Sequence, residues 1–209
     1  MIRVRVRCRG TTPLLFNRMT MEQLDCLRTK EKKGKNAPRP KDPRDEAAPK
    51  VYQDENGMPF LPDEMFFACL VNAGVFVRLD GKRQVSTRDS TTLPGFLEIE
   101  ERIIYLMHPD EQKPNKKKPL RWEVDMRQGK NPNGGEAVCI VRPRFDLWAF
   151  EVTIQIDTDE INEELIRELF DKAGKRMGLG DFRPQKKGRY GKFVVECWEK
   201  LDEVAEAAE

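Results

Sequence analysis

The sequence has little of what most enzymes rely on. It holds one histidine, His108, and no HxxE or HxH arrangement. Its cysteines, Cys8, Cys26, Cys69, Cys139 and Cys197, are nowhere closer than 18 positions. No CxxC knuckle can form, which excludes a zinc ribbon. No GxxxxGK[ST] segment occurs, so the phosphate loop of nucleotide hydrolases is missing. Asp157-Thr158-Asp159 is a DxD by letters only and is expected to cap a helix. No metal and no cofactor are expected. No apolar run approaches the ~18 residues that span a membrane, so no membrane partner is expected. An odd cysteine count without a secretory leader points to a reducing cytoplasm, with the thiols as small buried hydrophobes.

What the chain has in quantity is charge, unevenly placed. Its 38 basic and 36 acidic residues give a net charge of only +2. Three segments depart from that balance. Arg28 to Lys50 carries +5, Lys113 to Lys130 another +5, and Lys172 to Lys192 +7, so the remainder is strongly acidic. Basic charge concentrated in loop-like segments is the footprint of a phosphate-backbone binder, or else a set of solvated loops.

The periodicities place these segments. Ile2 to Arg9 alternates Ile2, Val4, Val6 and Cys8 with four arginines, which predicts a strand with one buried face. The arginine face is a solvated surface, a basic sheet face or an inter-subunit contact. A short helix is expected over Met21 to Arg28, and a mobile insertion over Thr29 to Lys50. Val51 to Phe60 reads as a hairpin turning at Asn56-Gly57. Pro62 to Phe76 has the spacing of a buried helix. Leu79 to Gly95 is a polar loop, and Phe96 to Leu106 a strand. Met107 to Gly135 is basic and proline-rich, with Trp122, Val124 and Met126 alternating like an extended hairpin arm. Ala137 to Pro143 and Trp148 to Ile156 are strands. A helix is expected over Asp159 to Ala173, capped by Asp157 and Thr158 and ended by Gly174, and Lys192 to Trp198 is the last strand.

Without its insertions this order is strand, helix, strand, strand, helix, strand. It predicts an α+β fold with a ferredoxin-like βαββαβ (RRM-like) core, an antiparallel sheet with both helices on one face. One domain is expected over residues 1–199. Insertions fall at about 28–60 and 107–136, and an acidic tail at 200–209.

Between the second helix and the last strand lies GLGDFRPQKKGRYGK, Gly178 to Lys192. Glycines reach positive φ and let a backbone approach phosphates, with exposed N–H groups as donors. Arg176, Arg183, Lys186, Lys187 and Arg189 supply charge, and Phe182 and Tyr190 could stack on a base. Alone this could be an ordinary basic turn. In its place before the last strand, the motif of Gly178, Gly180, Gly188, Tyr190 and Gly191 resembles the RAMP superfamily of CRISPR-associated proteins. Two residues separate the last two glycines here, where the family has one. The specific part covers about fifteen residues, and the skeleton most of the chain. The resemblance implies a backbone subunit that coats a guide RNA, with Lys113 to Lys130 as a thumb-like hairpin and Thr29 to Lys50 as part of an insertion. It also implies copies of itself or related subunits as partners in a filament-like assembly.

Candidate contacts outside the loop are Asn17 and Arg18, after the first strand, and Arg142 and Arg144, which could pair phosphates, with Trp148 either a stacking ring or a core residue. The expected activity is binding of single-stranded nucleic acid, RNA rather than DNA, within a CRISPR-type ribonucleoprotein or a phage or mobile-element equivalent. A metal-independent endoribonuclease is the enzymatic alternative. His108 is then the candidate acid or base, although no motif supplies it with a partner. Family members that cut RNA with a loop aspartate direct attention to Asp25, Asp42 and Asp45, among which spacing selects none. A third reading is an assembly protein whose basic loops meet acidic partners.

Overall fold

A computed structural model describes residues 1–30, 40–130, 135 and 137–201. The acidic tail falls outside the described residues except at its first two positions, and so does the middle of the first basic segment. The strands are β1 (Ile2–Gly10), β2 (Leu14–Leu15), β3 (Phe60–Pro62), β4 (Arg78–Leu79), β5 (Arg83–Gln84), β6 (Leu97–Ile99), β7 (Ile103–Met107), β8 (Glu123–Lys130), β9 (Ala137–Phe145), β10 (Ala149–Ile156) and β11 (Phe193–Lys200). The helices are α1 (Met21–Thr29), α2 (Pro43–Ala47), α3 (Asp63–Ala73) and α4 (Glu163–Lys172). No helix among the described residues is long and apolar enough to cross a membrane.

The fold is α+β, with antiparallel strand pairs throughout the main sheet. Its order is β11-β1-β10-β7-β3, and β6 also pairs with β10. A second sheet runs β2-β9-β8. In β1 the alternation resolves as expected: Val4, Val6 and Cys8 are buried. Over them lie Phe66 and Leu70 of α3 and Ile166, Leu169 and Phe170 of α4, all in one core. Phe66 meets Phe150 edge-on at 5.2 Å and Phe170 at 5.6 Å, tying both helices to the sheet. Each such ring removed from water contributes ~1.5–3 kcal/mol. Trp148 is fully buried, and its indole N–H donates to Thr12 O at 2.8 Å.

The arginines of β1 face the other way and are matched by acids from neighbouring strands. Arg3 grips Glu100 with two bonds of 2.6 and 2.7 Å. Arg5 lies 3.5 Å from Glu151 and 3.3 Å from Glu199, and Glu196 lies 3.0 Å from Arg7 and 3.5 Å from Arg9. The open face is therefore a lattice of both signs and not a basic surface.

Several boundaries differ from the sequence reading. The last helix starts at Glu163, capped by the Asn162 side chain, which accepts from Glu164 N at 2.9 Å. Asp157 instead closes the preceding turn by accepting from Asp159 N at 3.1 Å, and buried Ile161 draws the chain inward before a helix can begin. Gly174 does not end that helix. Ala173–Met177 winds on as a π-turn, and Gly178 stops it at φ 71°. The expected strand Phe96 to Leu106 is two strands. Between them the Glu101 carboxylate accepts from Thr153 N at 2.8 Å, a side chain standing in for the backbone. Asn56-Gly57 turns as expected but supports only a single bridge, Gln53 with Pro59. The Asp54 carboxylate has taken the Asn56 and Met58 amides, at 2.9 and 2.8 Å. The end of the supposed mobile insertion forms α2, capped by Asp42 and seated on buried Ala47. Cys8 and Cys69 are buried, Cys26 is half-buried and Cys139 and Cys197 are exposed, so fewer of the thiols are core than the expectation of mostly buried ones.

Candidate nucleic-acid interface

The glycine-rich loop leaves the π-turn at Gly178 and lies along β2. Leu179 N donates to Gly191 O at 2.9 Å, and Gly191 N to Pro13 O at 2.8 Å. Asp181 N donates to Leu15 O at 2.7 Å, Gly188 N to Arg183 O at 3.0 Å, and Tyr190 N to Phe182 O at 3.2 Å. Lys192 N reaches Thr12 Oγ1 at 2.9 Å. The expectation that these amides wait for phosphates is therefore corrected: most are bonded within the protein. The glycines serve close packing instead. At Gly180, φ is 70° and a Cβ would strike Leu15 O. At Gly191, φ is 68° and a Cβ would strike Leu179 O. Only glycine combines that conformation with that proximity. Beneath the loop, Cys69 Sγ sits 3.3 Å from Gly178 O, and burial pushes its thiol up to about 12.

The candidate side chains divide by what they already touch. Lys186, Lys187 and Arg189 are exposed and form no ion pair among the described residues. Arg183 folds back, donating to Gly180 O at 2.7 Å and to Gln185 Oε1 at 3.1 and 2.9 Å. Arg176 lies 4.6 Å over the Phe76 ring, away from the loop's tip. Tyr190 is buried, with Arg127 of β8 stacked 4.6 Å over its ring, so it is not the free base platform the sequence suggested. Phe182 remains partly exposed.

Arg142 was expected at a phosphate, but it is only 6% exposed and its guanidinium meets Asp181 at 2.9 Å. Asn17 Nδ2 donates to the same carboxylate at 3.2 Å. Arg18 instead covers the Tyr52 ring at 5.6 Å. Arg144 is half-buried. Its Nε lies 2.8 Å from Asp146, which raises the pKa of its guanidinium.

Beside the loop runs a groove of about 750 Å³ between α2 and the β8–β9 hairpin. Arg44, Asp125, Met126, Arg127 and Arg144 line it. Asp125 is buried beneath Arg127 at 2.8 Å. Arg44 stacks over Trp122 at 4.2 Å. Arg44, Arg127 and Met126 were not singled out by sequence reasoning as site residues. Their signals were the basic segments that hold Arg44 and Arg127 and the alternation of Trp122, Val124 and Met126.

The enzymatic candidates lie elsewhere or are otherwise engaged. The His108 ring accepts from Asp110 N at 3.3 Å, and Arg7 anchors the same turn through Pro109 O and Glu111 O. Asp25 pairs with Arg28 at 2.6 Å, Asp42 caps α2, and Asp45 is exposed on that helix. Among the described residues no cluster of His, Cys, Asp and Glu could hold a metal ion.

No family model matches the sequence, and no curated protein matches it. The chain is similar to one in a solved structure described as "Cryo-EM structure of the Type III-B Cmr-beta bound to cognate target RNA". The identity is 13% and the TM-score 0.49, over 96% of this chain and 60% of the other, so this chain spans about three fifths of that neighbour's length.

Proposed function

We propose that this chain binds the backbone of single-stranded nucleic acid, RNA in preference to DNA, through the tip of the glycine loop and the adjoining groove. The observation that carries this reading is the contrast between its cations. The arginines of β1 are matched by acids, whereas Lys186, Lys187 and Arg189 stand exposed, with no ion pair among the described residues, on a loop hydrogen-bonded from below. Unmatched cations on a pre-organised support bind phosphates at little ordering cost. Phe182 and the stacked Arg44–Trp122 pair beside them are the kind of surface on which unpaired bases rest. The core is read as ferredoxin-like, supported by the order β11-β1-β10-β7 with α3 and α4 as its crossovers. Membership of a CRISPR-type ribonucleoprotein, side by side with like subunits, rests on the resemblance of the loop.

Fluorescence anisotropy of a labelled oligouridylate across a salt series tests the proposal. Affinity falls steeply with salt. Because each phosphate contact on a single strand contributes a slope of about −0.7, replacing Lys186, Lys187 and Arg189 by Ala flattens the slope by about 2. The melting temperature stays unchanged. Salt-independent binding, or an unchanged slope in the triple variant, defeats the proposal. Cleavage of the same RNA that disappears in His108→Ala would establish the nuclease reading in its place.

A further inference from the structure

Between Lys172 and Lys192 there is one acid, Asp181, among eight basic residues. A carboxylate there opposes any anionic ligand, so its presence calls for a structural reason. Its surroundings supply one. Oδ2 lies 2.9 Å from Arg142 and accepts from Asn17 Nδ2 at 3.2 Å, while Oδ1 accepts from Phe182 N at 2.8 Å. Its own N–H donates to Leu15 O. Arg142 depends on this contact: it is buried, and among the described residues its Nε has no acceptor and Asp181 is its one ion-pair partner. A buried guanidinium without a counter-charge is strongly disfavoured.

The carboxylate also holds an unusual backbone. Phe182 sits at φ 50°, a conformation costly for a bulky side chain. Phe182 O in turn accepts from Tyr190 N, and a Cβ at Gly188 would collide with that same oxygen. The bend at Phe182 thus sets the path of both limbs of the loop. Lys186, Lys187 and Arg189 lie between them.

We infer that Asp181 is a positioning residue, an electrostatic pin that fastens the loop to Arg142 and Asn17 and thereby aims its exposed cations at the ligand. This rests on the nucleic-acid reading of the loop, but its signature differs in sign. If the loop acted through charge alone, Asp181→Asn would make it more basic and tighten binding. If Asp181 pins the loop, the same change weakens binding.

The full chain is compared with Asp181→Asn, Asn17→Ala, Arg142→Met and the double variant Arg142→Met/Asp181→Asn, using labelled oligouridylate at low salt and, separately, limited trypsin digestion. Asp181→Asn is expected to bind roughly tenfold more weakly despite its added positive charge. Asn17→Ala, which alters no charge, weakens binding less. Trypsin cuts after Lys186, Lys187 and Arg189 faster in both. The double variant binds no worse than Asp181→Asn, because both changes break one contact. Tighter binding with unchanged cleavage overturns the pin. Additive losses in the double variant also overturn it, since Arg142 would then touch the ligand itself. If Asp181→Asn fails to fold, Asn17→Ala decides: unchanged binding and cleavage sink the idea. If the wild type binds no RNA yet Asp181→Asn still opens the loop to trypsin, the functional reading falls and the pin stands.

Discussion

A cation or an aromatic ring matters here according to what already lies against it. Tyr190 and Phe182 are both aromatic residues of the loop, yet Arg127 covers one and solvent reaches the other. Arg142 and Arg189 are both arginines, yet one is buried on a carboxylate and the other exposed. The glycines divide in the same way: their role is steric, and it is testable at one atom. Gly191→Ala combines a positive φ with a collision against Leu179 O, so it is expected to destabilise the protein by ~1–3 kcal/mol or more. Thermal denaturation measures this. A melting temperature equal to wild type would mean that the loop relaxes freely and that its conformation is not imposed.

At the level of elements, the open sheet face has its own pH signature. The Arg3 guanidinium holds the Glu100 carboxyl below the usual range, and the Met58 amide does the same for Asp54. A carboxyl depressed in the folded state contributes stability that is complete above its unfolded pKa and is lost as pH falls through the folded one. The melting temperature is therefore expected to be level above about pH 5 and to decline below about pH 4, and Glu100→Gln should flatten that decline. A decline as steep in the variant as in wild type would remove Glu100 from the account.

Elements with strong periodicity were legible. β1 and α3 lie where alternation and helical spacing put them, because burial on one face decides them; the β8–β9 hairpin also lies in its expected place, although Asp125 and not the apolar row is buried in β8 and Met126 is exposed. The break between β6 and β7 was not legible, since Glu101 completes the pairing of Thr153 with a side chain and no periodicity records that. Nor was the start of α4, where Asn162 and Asp157 are both good caps and only the burial of Ile161 selects between them. In the candidate site, the exposed lysines could be read from composition. Arg142 and Asp181 could not, because their pairing joins β9 to a distant loop and each alone resembles ordinary surface charge.

For the molecule as a whole, charge differs by face. The arginines of β1 are matched acid to base, whereas the glycine loop carries exposed cations, with Arg127 of the basic β8 strand beside it. A polyanion therefore meets, at the arginines of β1, charge that acids already answer.

The place of β1 has a consequence in time. It is made before the other described strands, yet it lies in mid-sheet between β10 and β11, whose residues begin at Ala149 and Phe193. Until those segments are made, four arginines and the apolar row Val4, Val6 and Cys8 have no strand beside them. Contacts so distant along the chain slow folding, and refolding on the order of milliseconds to seconds, followed by tryptophan fluorescence after dilution from denaturant, is the expected result. Microsecond refolding would show that local helices govern the rate. The centre of the sheet closes last, and a newly made chain depends on β11 to cover β1.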